Sequence, residues 1–417
     1  MKIAIIGSGI SGLTSAYLLQ RKHDITVFES APRIGGHTAT VQVQEGQKQR
    51  AIDTGFIVFN DWTYPHFIRL MDELGVLSTP TEMSFSVSCK RTGLEYGGNN
   101  LNTLFAQRRN LFNLPYLGML KDIMRFNKEA IRDLESGELE EGLSLGNYLA
   151  KKNYGSRFAS HYLIPMGSAI WSATLEEMMD FPLVFFVRFF KNHGLLSVND
   201  RPQWRVIKGG SSAYLMPLVR LFQEKIRLNS KIKKVKRLSD SVELHFEQGV
   251  IETYDQVVFA CHSNEALALL SDASEDEQAI LSAIPYRNND VVLHTDDKLL
   301  PKTKLAWSSW NYHLGKDQTK PAALSYNMNI LQNFTSETTY VVTLNQTETI
   351  DPSKIIGRYQ YAHPTFTLEG IAAQNRWQDI NGVNNTWFCG AYWRNGFHED
   401  GCWSGVRVAN GLGVQWK

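Results

Sequence analysis

The first 29 residues constrain this 417-residue chain more than any other stretch. Residues 2–6 run from Lys2 into four apolar, largely β-branched residues, the pattern of a central parallel strand covered on both faces. Gly7, Ser8, Gly9, Ile10, Ser11 and Gly12 follow at once, then a helical pattern over 13–21, a second apolar run over 24–28, and Glu29. A GxGxxG turn between strand and helix, with an acid closing the second strand, predicts a βαβ unit built to hold a dinucleotide. Gly7 allows the tight turn, Gly9 has no Cβ to obstruct a pyrophosphate, and Gly12 lets helix and strand approach. The helix N-terminus, with Ser11 in its first turn, offers unpaired N–H groups to the phosphates. A carboxylate at Glu29 accepts from ribose hydroxyls and disfavours a 2′-phosphate. A glycine-rich turn without a ligand is the competing reading, and the complete βαβ context weighs against it.

Composition narrows the class of partner. Lys and Arg number 43 against 42 Asp and Glu, a formal net charge of +1, so no global field gathers nucleic acid. A length of 417 residues predicts two or three packed units. Cys89, Cys261, Cys389 and Cys402 form no CxxC pair, which argues against a metal site and a disulfide framework. The chain opens directly on the first strand and leaves no room for a signal peptide, so a cytoplasmic protein is expected. The most apolar stretch, 181–190, is interrupted by Arg188 and is shorter than the roughly 20 residues that cross a bilayer.

Arg33, Ile34, Gly35, Gly36, His37 and Thr38 come directly after Glu29, and Asp53, Thr54, Gly55 and Phe56 soon after. With these elements the chain resembles the flavin amine oxidase and phytoene desaturase superfamily, which carries RxGG at this place. The resemblance implies FAD as cofactor, held in this region by Ser30, Arg33, Gly35, Gly36, His37 and Thr38, with Gly55 and Phe56 beside the isoalloxazine ring. An ordinary turn is an equal reading of 53–55. A helix is expected over 213–223 and a strand over 226–229. The basic run Lys231, Lys233, Lys234, Lys236 and Arg237 alternates with Ile232 and Val235, which reads as a strand with a solvated face rather than a nucleic-acid patch. By the resemblance, backbone near Val235 touches the adenine. Residues 242–246 and 250–254 look like a hairpin, and the strand 256–260, ending in Ala260, resembles the VVxA element that returns to the nucleotide domain. Near the C-terminus, a strand at 385–388, then Gly390, Ala391 and 396–401, with Ser404 and Gly405 opening a helix, resemble the second FAD fingerprint. That implies contacts from Gly390, Gly401 and Ser404. Ala391 departs from the acidic residue often found after the glycine.

The expected fold class is α/β: a discontinuous Rossmann-like FAD-binding domain (1–75, 204–275, 365–417) plus an α+β substrate-binding domain (76–203, 276–364), the two-domain architecture of the amine oxidases. The insert at 76–203 is helical and ring-rich, with helical spacing over 111–126 and 160–171. Its aromatic ridge at 181–190 is either a core between helices or an apolar tunnel or lipid-dipping surface, with Arg188, Lys191, Arg108 and Arg109 at the headgroups. The insert at 276–364 is β-rich over 290–294, 305–312, 323–328 and 340–344, and Trp310, Tyr312, Tyr326 and Asn327 are candidate pocket residues. Plain sheet packing is the commoner role for each.

The stretches 396–401, 166–172 and 361–364 resemble bacterial flavoproteins associated with cyclopropane-fatty-acid-synthase-like methyltransferases. This resemblance implies an FAD-dependent oxidoreductase that desaturates a methylated or unsaturated lipid acyl chain by hydride transfer to flavin N5. It also implies a lipid or other apolar substrate and a methyltransferase partner; the aromatic ridge adds the expectation of peripheral contact with the inner membrane face. His398, with Phe397 and Tyr312, is the expected catalytic set, His398 acting as proton acceptor or as a polar contact to the ring; the alternative for 398–400 is a structural loop whose carboxylates cap a turn. Two other functions stay open: a soluble amine oxidase with Tyr392, Trp393 and Phe397 as cage walls, and a non-catalytic FAD-binding scaffold of a lipid-modifying complex.

Overall fold

Strand β1 (Lys2–Ile6) has Ile3, Ala4 and Ile5 wholly buried, as a continuous apolar run demands. In the computed structural model, which describes residues 1–140, 142–171, 173–315 and 323–417, β1 is followed by α1 (Ile10–Leu19) and β2 (Asp24–Phe28). Further along come α2 (Pro65–Leu74), β3 (Ile226–Arg227), β4 (Gln256–Phe259), β5 (Thr386–Phe388) and α3 (His398–Gly411). The five strands form one parallel sheet in the order β3-β2-β1-β4-β5. Parallel neighbours need crossovers, and here the crossovers carry whole inserts, so the sheet draws on three separate stretches. The chain divides accordingly into a first unit, Met1–Thr79 with Ile207–Tyr286 and Glu369–Lys417, and a second, Pro80–Val206 with Arg287–Leu368. Against sequence-based boundaries of 275 and 365, residues to Tyr286 stay with the first unit, because the helix Glu275–Ser282 buries Ile280 and Leu281 in its core.

Several local expectations shift for identifiable reasons. Helix α1 starts at Ile10 rather than 13, because Gly9 is extended and serves as the N-cap. The helix expected over 213–223 is broken into a turn at Ser211–Tyr214, a short helix at Leu215–Val219 and a turn at Gln223–Lys225; Pro217 inside it has no N–H to continue the ladder from 213. The strand Ile232–Arg237 does expose Lys233, Lys234 and Lys236, but Arg237 is buried and paired with Asp272 and Glu277. Helix α3 starts at His398, not at 404, because the Asp400 carboxylate accepts the N–H groups of Phe397 (2.9 Å) and Asn395 (3.2 Å) and caps the turn there.

The second unit is organised by a seven-stranded sheet in the spatial order Ile355–Pro364, Tyr286–His294, Val341–Leu344, Ala323–Asn327, Trp310–Leu314, Phe85–Cys89, Leu94–Gly97. Cross-strand pairing of Tyr312 with Val87 and Leu324, and of Trp310 with Phe85 and Tyr326, gathers apolar and aromatic side chains on one face. Pairing of Asn311 with Ser86 and Ser325, and of Ser325 with Thr343, gathers polar ones on the other. The aromatic ridge forms the helix Leu183–Asn192, and the lipid-dipping reading of it is overturned: Phe181, Leu183, Phe186, Phe189 and Phe190 are buried around Trp171, which stacks on Phe181 at 4.5 Å. Lys191, expected at headgroups, pairs with Glu135 at 2.7 Å. The helix expected over 111–126 runs Leu114–Glu135 instead, capped by the Asn113 side chain, and Arg108–Phe112 is a separate single turn. Ser172, the last residue of the stretch 166–172, lies outside the described residues. Among the described residues no helix is long and apolar enough to cross a membrane.

Candidate dinucleotide site in the first unit

Three glycine-bearing segments far apart in the chain meet at the carboxyl end of β1. Gly7 has φ +108°, a conformation that favours glycine, and its N–H donates to the Phe28 carbonyl at 2.8 Å. A Cβ on Gly7 would stand 2.7 Å from the Ala260 carbonyl oxygen, which brings the end of β4 to the turn. On Gly12 it would collide with the Gly7 carbonyl oxygen. Gly35 donates to the Ser8 carbonyl at 2.9 Å, and Gly36 lies so close that its Cβ position is 3.2 Å from Gly9 Cα. From α3, Gly401 packs on Ile10 and Gly405 on the Ser11 carbonyl. Gly9 alone among these looks onto open space, with nothing within 4 Å of its Cβ position. The arrangement therefore leaves a gap at the N-terminus of α1, where the first-turn N–H groups have no partner within the helix, and a diphosphate fits it.

The acid after β2 holds this loop in place. Glu29 accepts from Ser8 N–H (3.0 Å) and Oγ–H (2.6 Å) on one oxygen and from Ala31 N–H (2.9 Å) on the other, where the Ser30 hydroxyl also reaches it at 3.4 Å. These four donors take up the carboxylate's lone-pair sites, so a ribose hydroxyl at Glu29 would replace the weakest of them, the Ser30 hydroxyl at 3.4 Å. Arg33 donates to the carbonyls of Gly36 (2.9 Å), Thr38 (3.0 Å) and Ile34 (3.3 Å), so its guanidinium buttresses the RxGG turn. The His37 carbonyl accepts the Phe56 N–H at 2.9 Å, and a Cβ on Gly55 would strike that same carbonyl.

The GFHEDG segment is a knot of buried polar side chains rather than a proton-transfer site. The His398 ring stacks on Phe56 at 3.6 Å and 6° and shares Nε2 with the hydroxyls of Thr38 and Tyr214, each at 3.0 Å; those two hydroxyls are 2.6 Å apart. Burial pushes its pKa down to about 3, so the imidazole is neutral and a poor base. That corrects the expectation of a proton acceptor. Phe397 is the N-cap residue of α3, packed against the core of this unit. Glu399 accepts from Phe67 N–H (2.9 Å), His66 N–H (3.2 Å) and His66 Nδ1 (2.6 Å), capping α2. Burial raises the Asp400 pKa to about 7.

Two expected cofactor contacts are committed elsewhere. The Ser404 hydroxyl, within α3 and fully buried, donates to the Gly401 carbonyl and accepts the Gly390 N–H, both at 2.9 Å. Val235 is wholly buried and its carbonyl accepts from Ser271 N–H and Oγ–H at 3.0 Å, leaving that oxygen little capacity for an adenine. In the second unit, Trp310, Tyr312 and Tyr326 share the apolar sheet face, whereas Asn327 falls on the polar face and caps the turn Met328–Leu331.

Tyr214 and Ser211 escaped the sequence reading as site residues. Ser211 matters through Asp53, which is wholly buried and accepts from Thr40 Oγ1 (2.6 Å), Ser211 N–H (2.8 Å) and Ser211 Oγ (2.9 Å). Asp53 is thus more than an ordinary turn residue: it ties the 40–53 hairpin to the 211–214 turn. Desolvation raises its pKa from 3.8 to about 7 despite these donors. A raised carboxyl binds its proton more tightly in the folded state, so its contribution to stability falls as pH rises from about 4 to 7. Asp53→Asn keeps the acceptor oxygen and removes the titration. Urea unfolding across that range then gives a flatter stability profile than wild type, and an unchanged slope refutes the assignment.

The sequence model described as flavin containing amine oxidoreductase matches residues 10–347. A curated L-amino-acid oxidase of Siganus canaliculatus is 24% identical over 274 residues, 59% of this chain and 46% of that protein. The chain thus spans about half the length of that curated relative. Among solved structures, a putrescine oxidase aligns with TM-score 0.70 at 14% identity over 99% of this chain and 98% of that one. A CLA-producing fatty acid isomerase from P. acnes aligns with TM-score 0.70 at 16% identity over 98% of both chains. Both are likenesses of fold.

Proposed function

This chain belongs to the flavin containing amine oxidoreductase family, and on that premise we propose that it is an FAD-dependent oxidoreductase acting on an apolar carbon chain, a methylated or unsaturated lipid acyl group. The gap at Gly9 and the N-terminus of α1 would receive the pyrophosphate, Glu29 the adenosine ribose, and the backbone of Gly35, Gly36 and Gly55 would lie along the rest of the cofactor. FAD supplies a hydride acceptor, so no side-chain nucleophile is needed. The protein's part is to orient a C–H bond and exclude water. The neutral Thr38–Tyr214–His398 cluster fixes the 35–38 turn against α3 and presents no charge.

The observation that carries the substrate class is the apolar face of the second unit's sheet, where Trp310, Tyr312, Tyr326 and their cross-strand neighbours include no ionisable carboxyl or amine. A hydrocarbon chain loses nothing by desolvation on such a face, whereas a charged amine loses its hydration without a counter-ion. The methyltransferase partner and the acyl methyl group are supported by the likeness of 396–401 and 361–364 to methyltransferase-associated flavoproteins. Amine oxidation is the second reading, resting on the family; of its expected cage walls, Tyr392 and Trp393 are 2% and 3% exposed and tilted by 41° at 5.0 Å within the core of the first unit.

The test is anaerobic reduction of the yellow holoprotein. Methylated phospholipid bleaches the oxidised flavin band and polyamines do not. Bleaching by amines alone moves the protein to the amine oxidases, and a flavin that no donor of either class reduces makes it a scaffold.

A further inference from the structure

One knob in the second unit is conspicuously exposed for its composition. The helix Leu101–Leu104, the turn Arg108–Phe112 and the start of Leu114–Glu135 follow each other closely. The Tyr116 hydroxyl donates to the Leu104 carbonyl at 2.7 Å and Tyr116 packs on Phe105, so the three pieces form one body. At its tip Phe112 is 88% exposed, Leu114 77% and Leu101 75%. Single exposed apolar residues are common, but three large ones at a protruding tip mark a binding surface.

Along the chain, the charges of the tip segment have one sign. From 96 to 121 the sequence holds no acid, and Arg108, Arg109 and Lys121 are its only ionisable side chains apart from tyrosine. Both arginines are exposed and are steadied by neutral oxygens, Arg108 by the carbonyls of Asn102 and Phe105 and Arg109 by that of Gly93. Their charge is therefore oriented rather than neutralised. Further along the same helix Met124 and Lys128 are exposed, while the intervening Asp122 is half-buried and engaged by the Gly155 N–H at 2.9 Å and by Arg125 at 3.6 Å. A convex apolar tip ringed by cations suits a deformable anionic medium better than a rigid protein groove.

We propose that the 101–114 knob docks on an anionic lipid bilayer, with Phe112 and Leu114 entering the acyl boundary and Arg108 and Arg109 meeting headgroup phosphates. The proposal is independent of the substrate, since an amine oxidase carrying this knob would dock in the same way.

The experiment is co-sedimentation of the full-length holoprotein with vesicles of equal parts phosphatidylglycerol and phosphatidylcholine, against phosphatidylcholine alone. Wild type pellets with the anionic vesicles and releases as salt is raised. Phe112→Ser with Leu114→Ser lowers the partition by about 100-fold, and Arg108→Gln with Arg109→Gln by about tenfold or more on anionic vesicles only. Retained flavin absorbance shows that each variant is folded. Equal pelleting on both vesicle types, or a Phe112/Leu114 variant that pellets like wild type, overturns the proposal. So does a concentration-dependent dimer in sedimentation velocity that this variant abolishes, because the knob is then covered by a second copy.

Discussion

Gly12→Ala yields a colourless protein that unfolds well below wild type. The added methyl has no place to go: its carbon would overlap the carbonyl oxygen of Gly7 and lie 3.0 Å from Ala260 Cβ. Both neighbours belong to the first sheet and its turn, so relief requires moving α1 off β1. Overpacking of this kind costs about 3 kcal/mol or more when the obstructing atom is backbone, a large share of the stability of an ordinary domain. Gly9→Ala gives the opposite combination. With nothing within 4 Å of that position, the flavin-free protein melts as wild type does, while FAD affinity falls about 10- to 100-fold, the equivalent of a steric cost of about 1–3 kcal/mol. Titration of flavin-free protein with FAD, followed by flavin fluorescence and by the thermal shift that ligand binding produces, separates the two variants. If Gly9→Ala binds FAD as wild type does, the gap at α1 is not the phosphate site.

Arg237→Ala lowers unfolding free energy by about 3–5 kcal/mol, the cost of leaving a buried charge without its partner. The Arg237 and Glu277 side chains are 4% and 1% exposed and directly paired, and Arg237 also donates to the Asp272 carbonyl at 2.6 Å. Burying Glu277 alone is the expensive outcome. Arg237→Met combined with Glu277→Gln recovers most of the loss, because a neutral amide oxygen still accepts the Ser274 N–H that Glu277 holds at 2.8 Å. Urea unfolding of Arg237→Met, of Glu277→Gln and of the pair closes a double-mutant cycle. A single Arg237→Ala variant within about 0.5 kcal/mol of wild type would mean the pair is exposed to water in solution.

Arg237 also shows where the sequence stops being informative. Its neighbours Lys234 and Lys236 take the solvent positions that alternation assigns them and Val235 the core position, while Lys233, on Val235's side of that alternation, is exposed where the register shifts between Ile232 and Lys234. Alternation puts Arg237 on the buried face with Val235, but the carboxylate that makes a charge tolerable there, Glu277, lies 40 positions away. The same holds for His398. The six residues 396–401 stand out in the sequence, yet their chemistry turns on Thr38 and Tyr214, 360 and 184 positions distant. An imidazole beside a cofactor motif suggests proton transfer, and only its partners and its burial make it a neutral strut. The aromatic ridge at 181–190 was open to two readings for a related reason: helical spacing says which residues share a face, and whether that face meets lipid or Trp171 depends on what packs against it.

The sequence by itself determined the βαβ unit, the glycine positions that let backbone pass backbone, and the acid that closes the second strand. These follow from sterics and periodicity acting over a few residues. The tertiary structure alone decided that the segments at 7–12, 35–38 and 401–405 converge on one gap, that Ser404 and Val235 are bonded within the protein, and that Phe112 and Leu114 are left uncovered. A hydrogen bond or a buried face is a property of two partners, and along this chain the partners are often hundreds of residues apart.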